Sequence, residues 1–203
     1  MQLPLRHQCL VYSGSPARHL PALAALMRRK LEERHRCLYL DSPPMVAGMR
    51  SYLSAAGVDV AREVEKGSLV LSSDQGHLVD GSFDVDKMIR ELEDAVQQAL
   101  NDGYLGLWAT GDMTWEFGSR KETAKLLEYE GKLEDLFRRQ PALCGICQYH
   151  VDTLPPESVR QGLLTHPSLF INETLSRVNP HYVPRERLTA DMPLPDFHLV
   201  EDL

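Results

Sequence analysis

The sequence has no apolar run long enough to cross a membrane. No stretch of its 203 residues approaches the roughly 18 to 20 apolar residues that a transmembrane helix needs. Residues 1–7 also lack the layout of a secretory signal peptide. We therefore expect a cytoplasmic protein without a membrane partner.

Positive charge and cysteine are both scarce. The chain has 22 Lys and Arg residues against 29 Asp and Glu residues, a formal net charge of −7, and it has no run of basic residues. Because binding to nucleic acids depends on cations that neutralise phosphates, we expect no direct nucleic-acid partner. The 4 cysteines of a chain without a signal peptide are expected to be reduced thiols rather than disulfides.

Familiar catalytic motifs are also missing. The sequence contains no GxSxG, HExxH or paired-carboxylate spacing and no Ser-His-Asp order that would support an enzyme. Residues 14–21 occupy the position of a phosphate-binding loop, but the second glycine, the lysine and the following Ser or Thr of that motif are absent. We expect no enzymatic activity and no bound cofactor.

Short apolar runs alternate with helical patterns, which is typical of βα units around a mostly parallel sheet. The predicted strands are residues 9–12, 37–40, 58–64, 69–72, 104–110, 142–149 and 168–171. The predicted helices are residues 16–31, 43–56, 84–103, 119–138 and a short helix from residue 155. This alternation predicts an α/β fold of three layers, αβα, in a single domain.

The predicted domain covers residues 1–171. Residues 172–203 include four prolines and no sustained apolar period, so we expect an extension that packs on the domain or trails from it.

Ligands of parallel sheets bind beyond the carboxyl ends of the strands, where this sequence places Ser13, Asp41 and Asp112. Arg18 and His19 follow the first strand at a predicted helix start, where a small anion can bind; the alternative is an exposed helical turn.

Met113 and Trp115 follow Asp112 in the predicted loop. A thioether and an indole beside one carboxylate favour a small apolar pocket with a polar anchor. The alternative is that Trp115 caps the core.

Glu130 lies at helical spacing with Leu133 and other apolar residues, so we expect it to face the sheet. A buried carboxylate needs a partner, and His7, Arg18 and Tyr149 are the candidates. The alternative is that Glu130 lies at the solvated margin of its helix.

Cys144 and Cys147 form one CxxC pair, with His150 three residues further on. Because the pair lies in a predicted strand, its two side chains should point to opposite faces, which argues against a shared metal or redox site. We therefore predict no metal ligands and expect both thiols to pack as small hydrophobic groups.

Seven short segments occur in an order and spacing that resemble one known family. They are residues 7–12, 36–40, 81–84, 111–115, 127–130, 147–149 and 166–167. Over about residues 5–184 the chain resembles the MEDS domain, the methanogen/methylotroph, DcmR-type sensory domain. Of the CxxC pair, Cys147 matches the family motif and Cys144 does not.

The resemblance implies a fold related to RecA and the circadian-clock ATPases, with a degenerate phosphate loop. It also implies a sensory domain that recognises small hydrocarbon derivatives and controls transcription or a signalling kinase. Since the chain shows no helix-turn-helix, kinase or response-regulator segment, we expect it to signal to a transcription-regulatory or signalling protein. The sequence leaves the oligomeric state open and allows a homodimer.

The sequence thus predicts a non-enzymatic sensory domain that binds a small, largely apolar molecule. The predicted ligand-binding residues are His7, Tyr12, Ser13, Arg18, His19, Asp41, Asp112, Met113, Trp115, Glu130, Cys147 and Tyr149. One alternative is a residual nucleotide-binding protein with weak or no ATPase activity, in which Asp112 stands where an ATPase holds magnesium. Another is a scaffold whose crevice is filled by aromatic side chains.

Overall fold

The computed structural model describes residues 6–73, 78–79, 82–114, 123–172 and 174–189. The strands are β1 (His7–Tyr12), β2 (Arg36–Asp41), β3 (Leu69–Ser73), β4 (Leu78–Val79), β5 (Ser82–Phe83), β6 (Leu107–Asp112), β7 (Leu143–His150), β8 (Ser168–Asn172) and β9 (Leu175–Val178). The helices are α1 (Leu20–Glu32), α2 (Pro43–Ala55), α3 (Val60–Glu65), α4 (Val85–Asn101), α5 (Thr123–Arg139) and α6 (Pro156–Thr165).

Seven strands form the central sheet, in the order β3-β2-β6-β7-β1-β8-β9. All neighbouring strands are parallel except β8 and β9, which are antiparallel. One face of the sheet packs against α1, α2 and α3, and the other packs against α4, α5 and α6. The predicted three-layer αβα fold, with a mostly parallel sheet in a single domain, is confirmed.

The central strands are buried on both faces. Successive side chains along each strand point to opposite faces, which determines the helices that each side chain contacts. In β1, Cys9 packs in the layer of α4 to α6, whereas Leu10 packs in the layer of α1 to α3. In β7, Cys147 and Tyr149 belong to the same layer as Cys9. The inward side chains of these two adjacent strands therefore meet α5 and α6 together.

The prediction of a strand at residues 58–64 is wrong. The segment contains α3, whose first turn is capped by Asp59, because the Asp59 carboxylate accepts a hydrogen bond from the Arg62 backbone N–H at 3.2 Å. Valines at positions 58, 60 and 64 favoured a strand in the sequence, but the cap overrides that weak propensity.

Strand β6 is shifted along the chain relative to its predicted bounds of 104–110. A Cβ atom at Gly106 would lie 2.1 Å from the Ala142 carbonyl oxygen, so the chains touch there and strand pairing starts one residue later. At the other end, Asp112 pairs with Gln148 of β7. Asp112 therefore ends a strand, whereas the sequence placed it in the following loop.

The sheet contains one strand, β9, that the sequence did not predict. β9 pairs with β8 at the sheet edge, and the chain after it returns to the domain, where the Val183 N–H donates to the Leu164 carbonyl at 2.9 Å. β9 has only four residues, mostly exposed, so it lacks the apolar alternation by which strands are recognised.

Across the described ranges, no helix combines the length and the apolar character required to cross a membrane.

Candidate functional site

Seven of the predicted ligand-binding residues belong to two groups of largely buried polar side chains. The first, which we call the strand-end network, lies at the carboxyl ends of the strands and consists of Tyr12, His19, Tyr39, Asp41, Thr110, Asp112 and Gln148. The second, which we call the inner cluster, lies between the sheet and helices α5 and α6 and consists of His7, Glu130, Cys147 and His166.

Two buried carboxylates at the ends of adjacent strands dominate the strand-end network. Asp41 accepts hydrogen bonds from the Tyr39 hydroxyl at 2.8 Å and from the Ser42 backbone N–H at 2.7 Å. Asp112 accepts one from the Tyr12 hydroxyl at 2.8 Å. Burial, and secondly the negative charge of Asp112, raise the pKa of Asp41 to about 7. Asp41 therefore gains or loses its proton near neutral pH.

Buried amide and imidazole groups extend this network. The Gln148 Nε2 donates to the Thr110 hydroxyl at 3.0 Å, and the Gln148 Oε1 accepts from His19 Nε2 at 3.1 Å. Because His19 donates through Nε2, its Nδ1 carries a lone pair, and that buried atom has no hydrogen-bond partner among the described residues. Burial lowers the pKa of His19. The network thus offers one unused acceptor to a ligand.

The loop after β1 does not present a phosphate site. The Gly14 N–H donates to an Asp152 carboxylate oxygen at 2.7 Å, and the Gly14 carbonyl accepts from His150 Nε2 at 2.9 Å. Ser13 and Arg18 are exposed. The predicted helix start at residue 16 is a 3-10 turn of residues 16–18, capped by Ser15, and the α-helix α1 begins only at Leu20.

Two further predicted residues follow Asp112. Met113 is 3% exposed and packs in the core below α4 and α5. Trp115 lies outside the described residues.

The inner cluster brings together four elements. His7 stands at the start of β1, Glu130 on α5, Cys147 on β7, and His166 directly after α6. The predicted inward orientation of Glu130 is confirmed, since only 1% of its surface is exposed. His7 Nε2 lies 3.7 Å from Cys147 Sγ and 3.9 Å from Glu130 Oε2, which in turn lies 3.6 Å from His166 Nε2.

Each polar member of the inner cluster is held by a hydrogen bond on its outer side. The Tyr149 hydroxyl donates to Glu130 Oε1. His7 Nδ1 donates to Glu134 Oε2 at 2.8 Å, and the other oxygen of Glu134 accepts from the Tyr182 hydroxyl at 3.2 Å. These bonds fix the side-chain orientations within the cluster.

Of the predicted partners of Glu130, the structure supplies Tyr149 and His7 but not Arg18. Arg18 is exposed on the 3-10 turn that precedes α1, whereas Glu130 is on α5, which packs on the opposite face of the sheet.

Burial favours the uncharged forms of the inner cluster. It raises the pKa of Glu130 to about 8, against the opposing effect of the Tyr149 hydrogen bond. It lowers the pKa of His7 to about 3 and that of His166 well below the usual range. When no ion or ligand is bound, the cluster at neutral pH therefore contains a protonated carboxyl group and two neutral imidazoles.

Close packing leaves the cluster little freedom. The rings of His7 and Phe137 stack with their centroids 4.2 Å apart. On the other side, a Cβ atom at Gly162 would lie 2.4 Å from the Tyr149 ring, so only glycine lets α6 approach β7 this closely.

A small apolar pocket lies beside the inner cluster, in the layer of α4 to α6. Its volume is about 30 Å³, measured as the space open to the centre of a water-sized sphere. The lining residues are Leu40, Leu92, Ala109, Thr110, Gly111, Met113, Tyr129, Leu133, Phe137, Leu143, Ile146 and Cys147. Cys147 of the inner cluster contributes to this wall, and so does Thr110 of β6.

A larger pocket of about 430 Å³ opens at the amino ends of the strands. Arg6, Arg29, Lys30 and His35 contribute to its wall, and none of the predicted ligand-binding residues does. Its charged wall suits a small apolar ligand less well than the wall of the smaller pocket.

Residues 6–167 match a family model described as the methanogen/methylotroph, DcmR sensory domain, MEDS. The chain belongs to the MEDS family. Because MEDS domains are sensory domains, this chain has a sensory or regulatory role. Among curated proteins, none is significantly similar to it.

The CxxC pair of this MEDS domain does not form one site. Cys144 packs in the layer of α1 to α3, whereas Cys147 packs in the layer of α4 to α6. This is the predicted arrangement of residues three apart in a strand. His150 instead bonds to Gly14 and to the Thr153 hydroxyl.

Sequence reasoning missed Tyr39, Thr110, Gln148 and His166 of the two groups, and also Glu134, which bonds to His7. His166 lies in a segment that carries the family resemblance, although nothing else in the sequence marks it as buried. Glu134 follows Glu130 by one helical turn, a spacing that puts both on one face. Gln148 lies within an apolar run, and its polarity there was the available signal.

Proposed function

We propose that this MEDS domain senses a small, largely apolar molecule that binds in the pocket beside Met113 and Cys147. In this proposal the molecule binds and leaves unchanged, and its presence is transmitted to a transcription-regulatory or signalling protein. The observation that carries the proposal is the apolar pocket itself, whose wall includes Cys147 of the inner cluster and Met113, the residue after Asp112.

The size and wall of the pocket favour this class of ligand. A buried water needs about 10 to 15 Å³ of such space, so a pocket of about 30 Å³ holds a molecule of only a few heavy atoms. Most lining atoms are apolar, and burying apolar surface is the main driving force available there.

Met113 connects the pocket to the surface of the domain. It lines the pocket, and the next residue, Thr114, donates its backbone N–H to Asp112 Oδ1 at 2.7 Å. Asp112 is bonded in turn to Tyr12, whose ring stacks on that of His150 with centroids 4.7 Å apart. A ligand that displaces Met113 therefore acts on the loops at the strand ends, where we place the surface that signals to the partner.

The test is a substitution that fills the pocket without strain. A Cβ atom at Gly111 would have its nearest neighbours 3.4 Å or more away, so Gly111→Ala adds a methyl group to the pocket wall at ordinary contact distance. Gly48→Ala is the matched control, because its nearest contact is also 3.4 Å, and Gly48 lies on α2, which packs on the opposite face of the sheet.

Binding would be measured by ligand-observed NMR with alkanes, haloalkanes and alcohols of one to four carbons. We expect at least one probe to bind the native chain and the Gly48→Ala variant equally, and to bind Gly111→Ala at least tenfold more weakly. If no probe binds, or if Gly111→Ala binds as the native chain does, the pocket is not the ligand site.

A further inference from the structure

The inner cluster has the composition of a transition-metal site. His7, Glu130, Cys147 and His166 each offer one ligand atom, and all four atoms lie within 4.8 Å of one another. The four residues are between 0% and 5% exposed. Polar groups buried this deeply normally have hydrogen-bond partners, yet Glu130 Oε2 and His166 Nε2 have none within the described part of the chain.

Three of the six distances between these atoms are close to those between the ligands of one tetrahedral ion, and the other three are at most 4.8 Å. Zinc bonds of about 2.0 to 2.3 Å place neighbouring ligand atoms about 3.3 to 3.7 Å apart. His166 Nε2 is 3.6 Å from Glu130 Oε2, and His7 Nε2 is 3.7 Å from Cys147 Sγ. The separation of His7 Nε2 from Glu130 Oε2, 3.9 Å, is only slightly larger.

Both histidines have the tautomer that a metal requires. The Gly162 carbonyl can only accept, so His166 Nδ1 donates the 2.6 Å hydrogen bond between them and Nε2 keeps its lone pair. His7 Nδ1 donates to Glu134, so its Nε2 carries a lone pair that faces the cluster, 3.7 Å from Cys147 Sγ. A histidine that donates its second nitrogen to a carboxylate or carbonyl oxygen is the usual arrangement around protein-bound zinc.

A third hydrogen bond, from Tyr149, orients the carboxylate of Glu130 from outside the cluster. The Tyr149 hydroxyl occupies Oε1, which leaves Oε2 directed at His166. Three of the four ligand groups are thus oriented by a partner outside the cluster, and the remaining atom of each points inward.

We propose that His7, Glu130, Cys147 and His166 bind one divalent transition-metal ion, with zinc as the ion that best suits two imidazoles, a thiolate and a carboxylate. Magnesium and calcium prefer all-oxygen sites, which this cluster is not. The thiolate and the carboxylate balance the two positive charges of the ion. All four positions are filled by protein groups, as in a structural zinc site.

This proposal departs from the expectation of no metal ligands, and it does not depend on the identity of the sensed molecule. Only one cysteine of the CxxC pair takes part, and the other three ligands come from β1, α5 and the residue after α6. The ion joins four elements of the fold and fixes the Cys147 side chain in the wall of the apolar pocket.

The experiment uses the full chain, stripped of metal with a chelator and titrated with zinc against a chromophoric competitor. We expect one equivalent to bind and to raise the melting temperature. Cobalt in place of zinc should give a thiolate-to-cobalt charge-transfer absorption. Cys147→Ser should abolish that absorption, and both Cys147→Ser and His166→Gln should weaken zinc binding at least tenfold.

The controls are Cys144→Ser and His150→Gln, which change the same residue types at positions of β7 outside the cluster. Both should bind zinc and cobalt as the native chain does. The proposal is overturned if the folded native chain binds less than a tenth of an equivalent. It is equally overturned if binding survives both Cys147→Ser and His166→Gln, or if the controls lose it to the same extent. Should Cys147→Ser fail to fold, the His166→Gln titration and the cobalt absorption of the native chain decide the matter.

Discussion

The Tyr149 hydroxyl donates a hydrogen bond to Glu130 Oε1 inside the core, where both side chains are almost completely buried. The bond joins β7 to α5 across the layer that also contains the apolar pocket. It holds one oxygen of the carboxylate and determines where the other oxygen points.

Removing this donor should destabilise the fold. Tyr149→Phe leaves Glu130 Oε1 buried without its partner, and we expect the free energy of unfolding to fall by about 1 to 3 kcal/mol. Urea denaturation in the presence of a chelator measures this without a contribution from metal. Tyr104→Phe is the control, since the Tyr104 hydroxyl is exposed and makes only a 3.4 Å bond to the Lys66 carbonyl. Equal effects of the two substitutions would contradict the prediction.

The strand-end network should make stability depend on pH through Asp41. Burial and then Asp112 raise its pKa in the folded state from 3.8 to about 7, so the folded state holds this proton more tightly than the unfolded state does. The contribution of Asp41 to the free energy of unfolding should therefore fall as the pH rises from about 4 to about 7.

Asp41→Asn removes this titration and leaves an oxygen that can accept from Tyr39. As the pH rises from about 4 to about 7, the native chain should lose stability relative to the variant. The loss in unfolding free energy should be up to about 1.4 kcal/mol per pH unit. Denaturation at pH 4, 5.5, 7 and 8 measures it, and the change should cease above pH 7. A difference that stays constant from pH 4 to pH 7 would show that Asp41 is not perturbed.

Gly162 should tolerate no side chain. In Gly162→Ala, the new methyl carbon would lie 2.4 Å from the Tyr149 ring, so α6 or the ring must move, and we expect a loss of about 1 to 3 kcal/mol. Gly48→Ala makes the same change within another helix, where the nearest atom is 3.4 Å away, and should leave the melting temperature unchanged or raise it. Thermal unfolding of both variants tests this, and similar melting temperatures would refute the packing argument.

Titration with ATP and magnesium should produce no binding heat. The loop after β1 lacks the lysine of a phosphate-binding loop, and the Gly14 N–H is already bonded to Asp152, whose negative charge repels phosphate. Asp152→Asn removes that charge and should still give no heat, because the missing lysine is not restored. A calorimetric isotherm with a clear stoichiometry would instead support the nucleotide-binding alternative.

Local sequence patterns were sufficient to predict the three layers of the fold and the orientation of individual side chains. The spacing of Glu130 with apolar residues placed it inward, because a helix buries one face whatever it packs against. The helix predicted over residues 84–103 is α4, which Asp84 caps by accepting a hydrogen bond from the Lys87 N–H at 2.9 Å. Where two local signals competed, as at the valines of α3, or where the signal was absent, as in β9, the sequence was misleading or silent.

The sequence by itself determined that Glu130, Cys147 and Tyr149 would face a core, because burial of alternate or periodic residues is a property of each element alone. Only the tertiary structure decided that His7, 140 residues from Cys147, lies 3.7 Å from it, and that His166 completes the cluster. These contacts depend on parallel strands brought together by long crossovers and on a glycine that lets α6 approach. Such long-range packing is set by the whole chain, so no local pattern contains it.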